Sequence, residues 1–263
     1  MDTRFKILYS VLLVLSLFAS GTGMANATST AGSSHLGAIP VISPLVSYSG
    51  GYQTTIVIHN NGSSATPTPF DEMIVVNSSM FSVYENRNLS NIWFSYTSGA
   101  RIPSWLQSGN SSTDSNTTYW LRLNSTIAVG GSLDIHMNFL PVGSNAFNNF
   151  STGEAPEFTS MYGVYDDGSY VFNFYDNFSG TAVKNSIWNT AQATAGTFVI
   201  NNGITFVNNG NDLFSQTAFP YPGEVEAYGI MNTPTSNDST TFFLGGAGFG
   251  NGGINNDRPV MTA

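Results

Sequence analysis

The 263-residue chain contains no cysteine, which excludes disulfides, thiolate metal sites and cysteine nucleophiles. Charge is scarce as well. Only 9% of residues are Asp, Glu, Lys or Arg, against about 25% in ordinary globular proteins. The seven basic residues are scattered and outnumbered by sixteen acidic ones, so the basic cluster that nucleic-acid binding needs is missing and no nucleic-acid partner is expected. The acidic excess is too thin for a salt-adapted surface dense in carboxylates. No stretch sustains the 3.6-residue period of an amphipathic helix. There is no G-x-S-x-G elbow and no G-x-x-x-x-G-K-[ST] phosphate loop. The glycines of GGAGFGNGG, residues 245–253, follow a strand pattern but open no helix, which argues against a dinucleotide site.

Asn, Ser, Thr and Gly stand where charge is lacking. With 41% hydrophobic and 13% aromatic residues there is material for a packed core, so the chain is not a disordered one. Its length suits one large domain or two modest ones.

Residues 1–27 have the layout of a Sec-type secretory signal peptide. Arg4 and Lys6 supply a positive start, Ile7–Ala19 an apolar run, and Ala25-Asn26-Ala27 an A-x-A cleavage site. The run is shorter than the about 20 apolar residues of a spanning helix. The expected location is extracellular or at the cell surface. Membrane contact is expected only through the export signal or an uncleaved signal anchor. The thin charge also suggests an acidic habitat, in which carboxylates protonate and dense basic charge would be left unbalanced.

Period-2 alternation recurs along the rest of the chain. In Ser132–Leu140, Leu133, Ile135, Met137 and Phe139 share one side while Asp134, His136 and Asn138 share the other. Similar runs are 53–59, 72–77, 92–96, 119–123, 170–175, 197–201, 204–207, 224–230 and 240–244. Asn60-Asn61-Gly62, Gly130-Gly131 and Asp167-Gly168 punctuate them. Asn202-Gly203 between two β-branched runs predicts a hairpin with a type I′ turn. The expected class is all-β: two tandem β-sandwich, jelly-roll-like domains after the signal peptide. The expected boundaries are a linker at 28–45, a first sandwich at 46–142, a connecting segment at 143–165, and a second sandwich at 166–263. The second sandwich is expected to be incomplete, since no closing strand follows TTFFLGGAGFG.

The stretches YQTTIVIHNNGSSATPTPF, IWFSYTSGARIPSWL and TTYWLRLNSTIAVGGSLDIHMNF, within residues 46–142, resemble an extracellular domain of unknown function numbered 2341. Pro103, Trp105, Trp120 and Gly130-Gly131-Ser132 carry the likeness. From about residue 166, Tyr175–Gly180, Ile187-Trp188 and Asn201–Ile204 are similar to the opening of the concanavalin A-like lectin/glucanase fold found in archaeal surface proteins. That resemblance implies glycan binding or a structural surface role, and in some members glycan hydrolysis. The partners it implies are glycans or other surface-layer proteins.

Glycan hydrolysis needs two carboxyl groups flanking the scissile bond, and glucanases of that fold supply them from an E-x-D-x-x-E strand. The nearest approach here is Glu224-Val225-Glu226, which lacks the remaining acids. On a strand Glu224, Glu226 and Tyr228 share a face, so they are the candidate ligand-binding residues, and no catalytic residue is assigned. The competing readings are a hydrolase whose catalytic half lies beyond Ala263, and a filament or surface-layer subunit assembled by strand exchange. Asp166-Asp167-Gly168 with Asp176 is the densest acidic patch and the one place for Ca²⁺, but it lacks the D-x-[DN]-x-[DN]-G loop. No metal or other cofactor is expected. His35, His59 and His136 have no zinc-type spacing. Of the aromatics, one exposed Trp or Tyr platform is expected. Asn61, Asn77, Asn88, Asn110, Asn116, Asn124, Asn149, Asn177 and Asn237 open N-x-[ST] sequons and are the candidate glycosylation sites. Ser and Thr are so frequent that about six sequons would arise by chance.

Overall fold

The computed structural model describes residues 44–189, 198–205 and 215–217 with their side chains. It describes the backbone alone at 13–16, 41–42, 206, 214, 224–227, 242–243 and 260–261. The chain divides into two compact units, Phe18–Asn173 and Met1–Leu17 with Phe174–Ala263. Among the described residues nearly all regular structure is β.

Strand β1 (Leu13–Ser16) belongs to the second unit. The central unit contains β2 (Val41–Ile42), β3 (Val46–Tyr48), β4 (Gly51–His59), β5 (Phe70–Val76), β6 (Ile92–Tyr96), β7 (Arg101–Ile102), β8 (Ser104–Ser108), β9 (Thr117–Leu123), β10 (Ser132–Phe139) and β11 (Thr152–Glu154). One sheet has the order β2–β4–β10–β6–β7, with β3 also on β4; the other runs β11–β8–β9–β5. Every ladder of the unit is antiparallel except that of β11 on β8. Strands β2 and β3 follow one another along the same side of β4, facing Ile56–Val57 and Gly51–Gln53. Pro44, which has no N–H to give a ladder, lies in the break between them. The end of the stretch read as a linker is thus an edge strand.

Alternation decides what goes inside. Ile56 and Ile58 of β4, Ile92 and Phe94 of β6, and Ile135, Met137 and Phe139 of β10 meet Ile74 and Val76 of β5 and Tyr119, Leu121 and Leu123 of β9 in one core. Two sheets that bury one face each against the other form a β-sandwich. Phe94 and Tyr119 meet edge-on across the gap, ring centroids 5.0 Å apart.

Asparagine does the work in the loops that charge does elsewhere. Asn60, 2% exposed, donates to the Ser64 and Ile127 carbonyls and accepts from Gly62 N, tying the β4–β5 loop to the β9–β10 loop. At the opposite end Asn91, fully buried, donates to the Tyr84 and Leu140 carbonyls and accepts from Asn86 N. An amide satisfies such a site without the desolvation cost of a charge. Asn91→Ala removes the partner of two carbonyls and one N–H, all on half-buried residues, and is expected to cost about 2 kcal/mol in urea unfolding. A loss below about 1 kcal/mol would mean that water takes over these bonds.

The central unit continues past residue 142. Ala146, Phe147 and Ala155 are buried, and β11 pairs with β8. The run 170–175, expected to be a strand, is not one. Gly168–Val171 makes a single helical turn, α1, and Phe172 then turns back in extended conformation.

The second unit holds β12 (Trp188–Asn189), β13 (Phe198–Ile200), β14 (Ile204–Phe206), β15 (Phe214–Ser215), β16 (Glu224–Ala227), β17 (Phe242–Phe243) and β18 (Val260–Met261). They form two-stranded ladders: β1–β16, β12–β15, β13–β14 and β17–β18. The β13–β14 hairpin forms where predicted, but Ile200 faces Ile204. The loop is therefore three residues long rather than the two of a type I′ turn. Both Asn202 (φ 52°) and Gly203 (φ 121°) have positive φ, as such tight loops require. Phe174, Phe178, Trp188, Ile200 and Ile204 pack around it.

Candidate functional site

The outward face of the six-stranded sheet is the candidate site. Register places Arg101, Ser95, His136 and Thr55 in one row across β7, β6, β10 and β4. Trp93, Asn138, Gln53 and Val46 make the next row, across β6, β10, β4 and β3. Neither row contains a carboxylate. The Arg101 guanidinium lies 4.6 Å from the Trp93 ring centroid, the spacing of a cation–π contact. One of its nitrogens, Nη1, donates to Thr152 Oγ1 at 3.2 Å. Trp93 is half-buried, with its indole nitrogen beside the Tyr48 hydroxyl and both atoms shielded from solvent. Burial pushes the Tyr48 hydroxyl above its usual range, against the pull of the Trp93 N–H and the Arg101 charge. The Asn138 amide is held by Ser95 Oγ at 3.0 Å. The result is a flat aromatic–guanidinium plate with amide, hydroxyl and imidazole groups around it.

The outward face of the four-stranded sheet is closed. Trp105 and Trp120 stand side by side on β8 and β9, and Phe172 lies edge-on to both, with centroids 5.5 and 5.6 Å away. Trp105 Nε1 donates to Asp166 Oδ1 at 2.9 Å, and Trp120 Nε1 to Gln107 Oε1 at 2.8 Å. Arg122 donates to the Val171 carbonyl at 2.6 Å, to Asn173 Oδ1 at 2.9 Å and to Asp71 Oδ1 at 3.2 Å. The segment 165–173 is strapped over the sheet by these bonds.

Several carboxyls are inside the protein. Glu72 has the parity of Phe70 and Ile74 and so faces the core opposite Leu121; burial raises its pKa to about 8. Burial likewise raises Glu85 to about 8, only partly offset by Ser78, and Glu154 to about 7, with Glu157 adding to the effect. Asp71 rises to about 7 because burial outweighs the Arg122 charge beside it. Tyr119 is pushed well up by burial and then by Glu85 and Glu154.

The residues singled out in the sequence are spread widely. Glu224 and Glu226 lie on β16, whose backbone pairs with β1; their side chains, and all of Tyr228, lie outside the described residues. So do Asn237 and His35. His59 is exposed and His136 half-buried on the candidate face. Asn61, Asn88, Asn116, Asn124 and Asn149 are exposed, while Asn77, Asn110 and Asn177 are half-buried. None of these eight sits within a strand. Of the acids considered for calcium, Asp166 and Asp176 have protein partners, whereas the buried Asp167 carboxyl has none among the described residues. Asp166 accepts from Trp105 and from Gly168 N. Asp176 accepts from Lys184 at 2.7 Å, from Phe178 N at 3.0 Å and from Trp188 Nε1 at 2.7 Å. Among the described residues no three His, Cys, Asp or Glu side chains converge as a metal site would require. Of the four tryptophans, Trp105, Trp120 and Trp188 are buried and Trp93 is half-buried. The sequence offered a signal for it, since Trp93 is out of phase with Ile92 and Phe94.

No protein family model matches the chain. No solved structure matches it. The chain is 34% identical over 125 residues to an uncharacterized protein, number 562, of Sulfolobus islandicus rod-shaped virus 1. The similarity covers 47% of this chain and 21% of the viral protein, so the chain spans about a fifth of the curated relative it matches.

Proposed function

We propose that the chain is an exported surface protein with a structural or adhesive role, and that it contacts glycans through the outer face of its six-stranded sheet. The observation that carries this reading is the exposed Arg101 guanidinium beside the half-buried Trp93 ring, with half-buried Gln53, Thr55 and His136 in the same two rows, while Asn138 and Ser95, each 2% exposed, only hold those rows in place. Saccharides present flat C–H faces and paired hydroxyls. Aromatic rings meet the first, and amide and guanidinium forks meet the second. Among the described residues the one hydrogen-bond partner of Arg101 is Thr152, so most of its donors remain open for this. The sequence places a second surface on Glu224, Glu226 and Tyr228, and the signal-like N-terminus supports export. A hydrolase reading finds less support. The carboxyls raised to about 7 or 8 are each no more than 6% exposed, so a sugar does not reach them.

The test is a glycan-array screen of the purified chain, repeated with Trp93→Ala and Arg101→Gln. Specific retention, weakened about tenfold or more by either substitution, is the expected result. Retention untouched by both would move the site to the second unit. Release of reducing ends would make the protein a hydrolase.

A further inference from the structure

We propose that residues 165–173 form an acid-closed latch, a strap that lies on the outward face of β8 and β9 while Asp167 is neutral and lifts when Asp167 gives its proton to solvent. Asp167 is fully buried, and neither carboxylate oxygen has a hydrogen-bond partner. It presses on β11 where only glycine fits: a Cβ built on Gly153 would lie 2.3 Å from Asp167 Oδ1 and 2.2 Å from the Tyr165 carbonyl oxygen. A neutral carboxyl tolerates such a place, whereas a carboxylate without donors does not.

The charges around it give no relief. Asp166, next in the chain, keeps its own bonds to Trp105 and Gly168 N. Glu154 is on β11, and Glu157 follows it within reach of the Asp166 charge. Arg122 of β9 holds the far end of the strap at Val171 and Asn173 and shares itself with Asp71 of β5. Burial, and then Asp166, push the Asp167 carboxyl well above its usual range, against the weaker pull of its own backbone N–H.

The remaining contacts of the strap lie along one short segment and break as a set. They include the Phe172 wedge between two indoles, the Arg122 bonds, Trp105 to Asp166, Glu154 N to the Tyr165 carbonyl, and the Tyr165 ring against Phe147. Opening uncovers Trp105 and Trp120. It also frees the segment that ends at Asn173, the last residue of the central unit. Protonation thus controls how firmly the chain leaving this unit is held.

Hydrogen exchange of the full chain, read by mass spectrometry at pH 5 and pH 8 and corrected for intrinsic rates, separates the latch from general unfolding. Protection at Tyr170 N and Phe172 N, which bond to the Asp167 and Gly168 carbonyls, is expected to fall about tenfold or more at the higher pH. Peptides from β10, which exchange through general unfolding, are expected to remain better protected than the strap at pH 8. Asp167→Asn, neutral at every pH, is expected to hold the strap down at pH 8. Asp166→Asn, which keeps an acceptor oxygen but removes the repelling charge, is expected to make Asp167 lose its proton more readily and so to move the opening to lower pH. Equal strap protection at the two pH values in the native chain would overturn the latch. So would strap protection at pH 8 equal to that of β10, or an Asp166→Asn midpoint that stays in place or rises.

Discussion

Thermal unfolding of the chain is expected to show its highest midpoint below about pH 5 and to lose roughly 10–20 °C by pH 8. The sign follows from the buried acids. Glu72, Glu85, Glu154 and Asp71 have folded-state pKa values of about 8, 8, 7 and 7, raised chiefly by burial. In the unfolded chain they titrate near 4. Between about pH 4 and pH 8 the unfolded state therefore binds fewer protons, and raising the pH favours it. The stabilising difference is fully present below the unfolded values and is lost as pH rises through the folded ones. Every tenfold difference in proton affinity between the two states corresponds to about 1.4 kcal/mol. Water entering the unfolding core and coupling between the groups reduce the total to on the order of 5 kcal/mol, a large share of an ordinary folding free energy. Glu72→Gln tests the cause. It removes a charge that would face Leu121 and the core, so it is expected to raise the midpoint at pH 8 while changing it little at pH 4. Calorimetry that finds maximum stability near pH 7, or the same effect of Glu72→Gln at both pH values, would contradict the assignment. Scarce charge and buried carboxyls point the same way, to a protein suited to acid.

Phe94→Ala is the second large effect expected, a loss of about 3–5 kcal/mol in urea unfolding at pH 5. Phe94 is completely buried. It lies between Met137 and Ile102 on its own sheet and meets Tyr119 of the facing sheet edge-on. Truncation removes the ring that joins the two layers, and the strands on either side are too firmly paired to collapse into the gap. Phe94→Leu, which keeps most of the volume, is expected to lose less than half as much. A loss below about 1 kcal/mol for the alanine variant would show that the sheets do not pack through this point.

The strands legible in the sequence are those with one wet face. Ser132–Leu140 alternates cleanly, and β10 forms there with Ile135, Met137 and Phe139 inside. Ile92–Tyr96 is recovered as β6 without change. The failures have physical causes. Residues 170–175 alternate in hydropathy, but Phe172 is apolar because two indoles receive it, not because it lies in a sheet. Trp120 is out of phase with the core and still buried, since a segment about fifty residues later covers it. Single-strand periodicity carries no trace of such a partner. Glu72 looks polar and outward by type but sits inward by parity. The candidate site was half visible. One exposed Trp or Tyr is expected from the sequence, and phase distinguishes Trp93, which is half-buried; its pairing with Arg101 depends on the β6–β7 turn and no spacing rule reports it.

The most direct test of the proposed function uses the four tryptophan indole N–H signals in a ¹⁵N-labelled sample of the whole chain, titrated with an oligosaccharide retained on the array. The Trp93 signal is expected to shift in proportion to occupancy while those of Trp105, Trp120 and Trp188 hold still. A still Trp93 signal, with shifts confined to the backbone of residues 224–230, would contradict the proposal and place the glycan on the second unit.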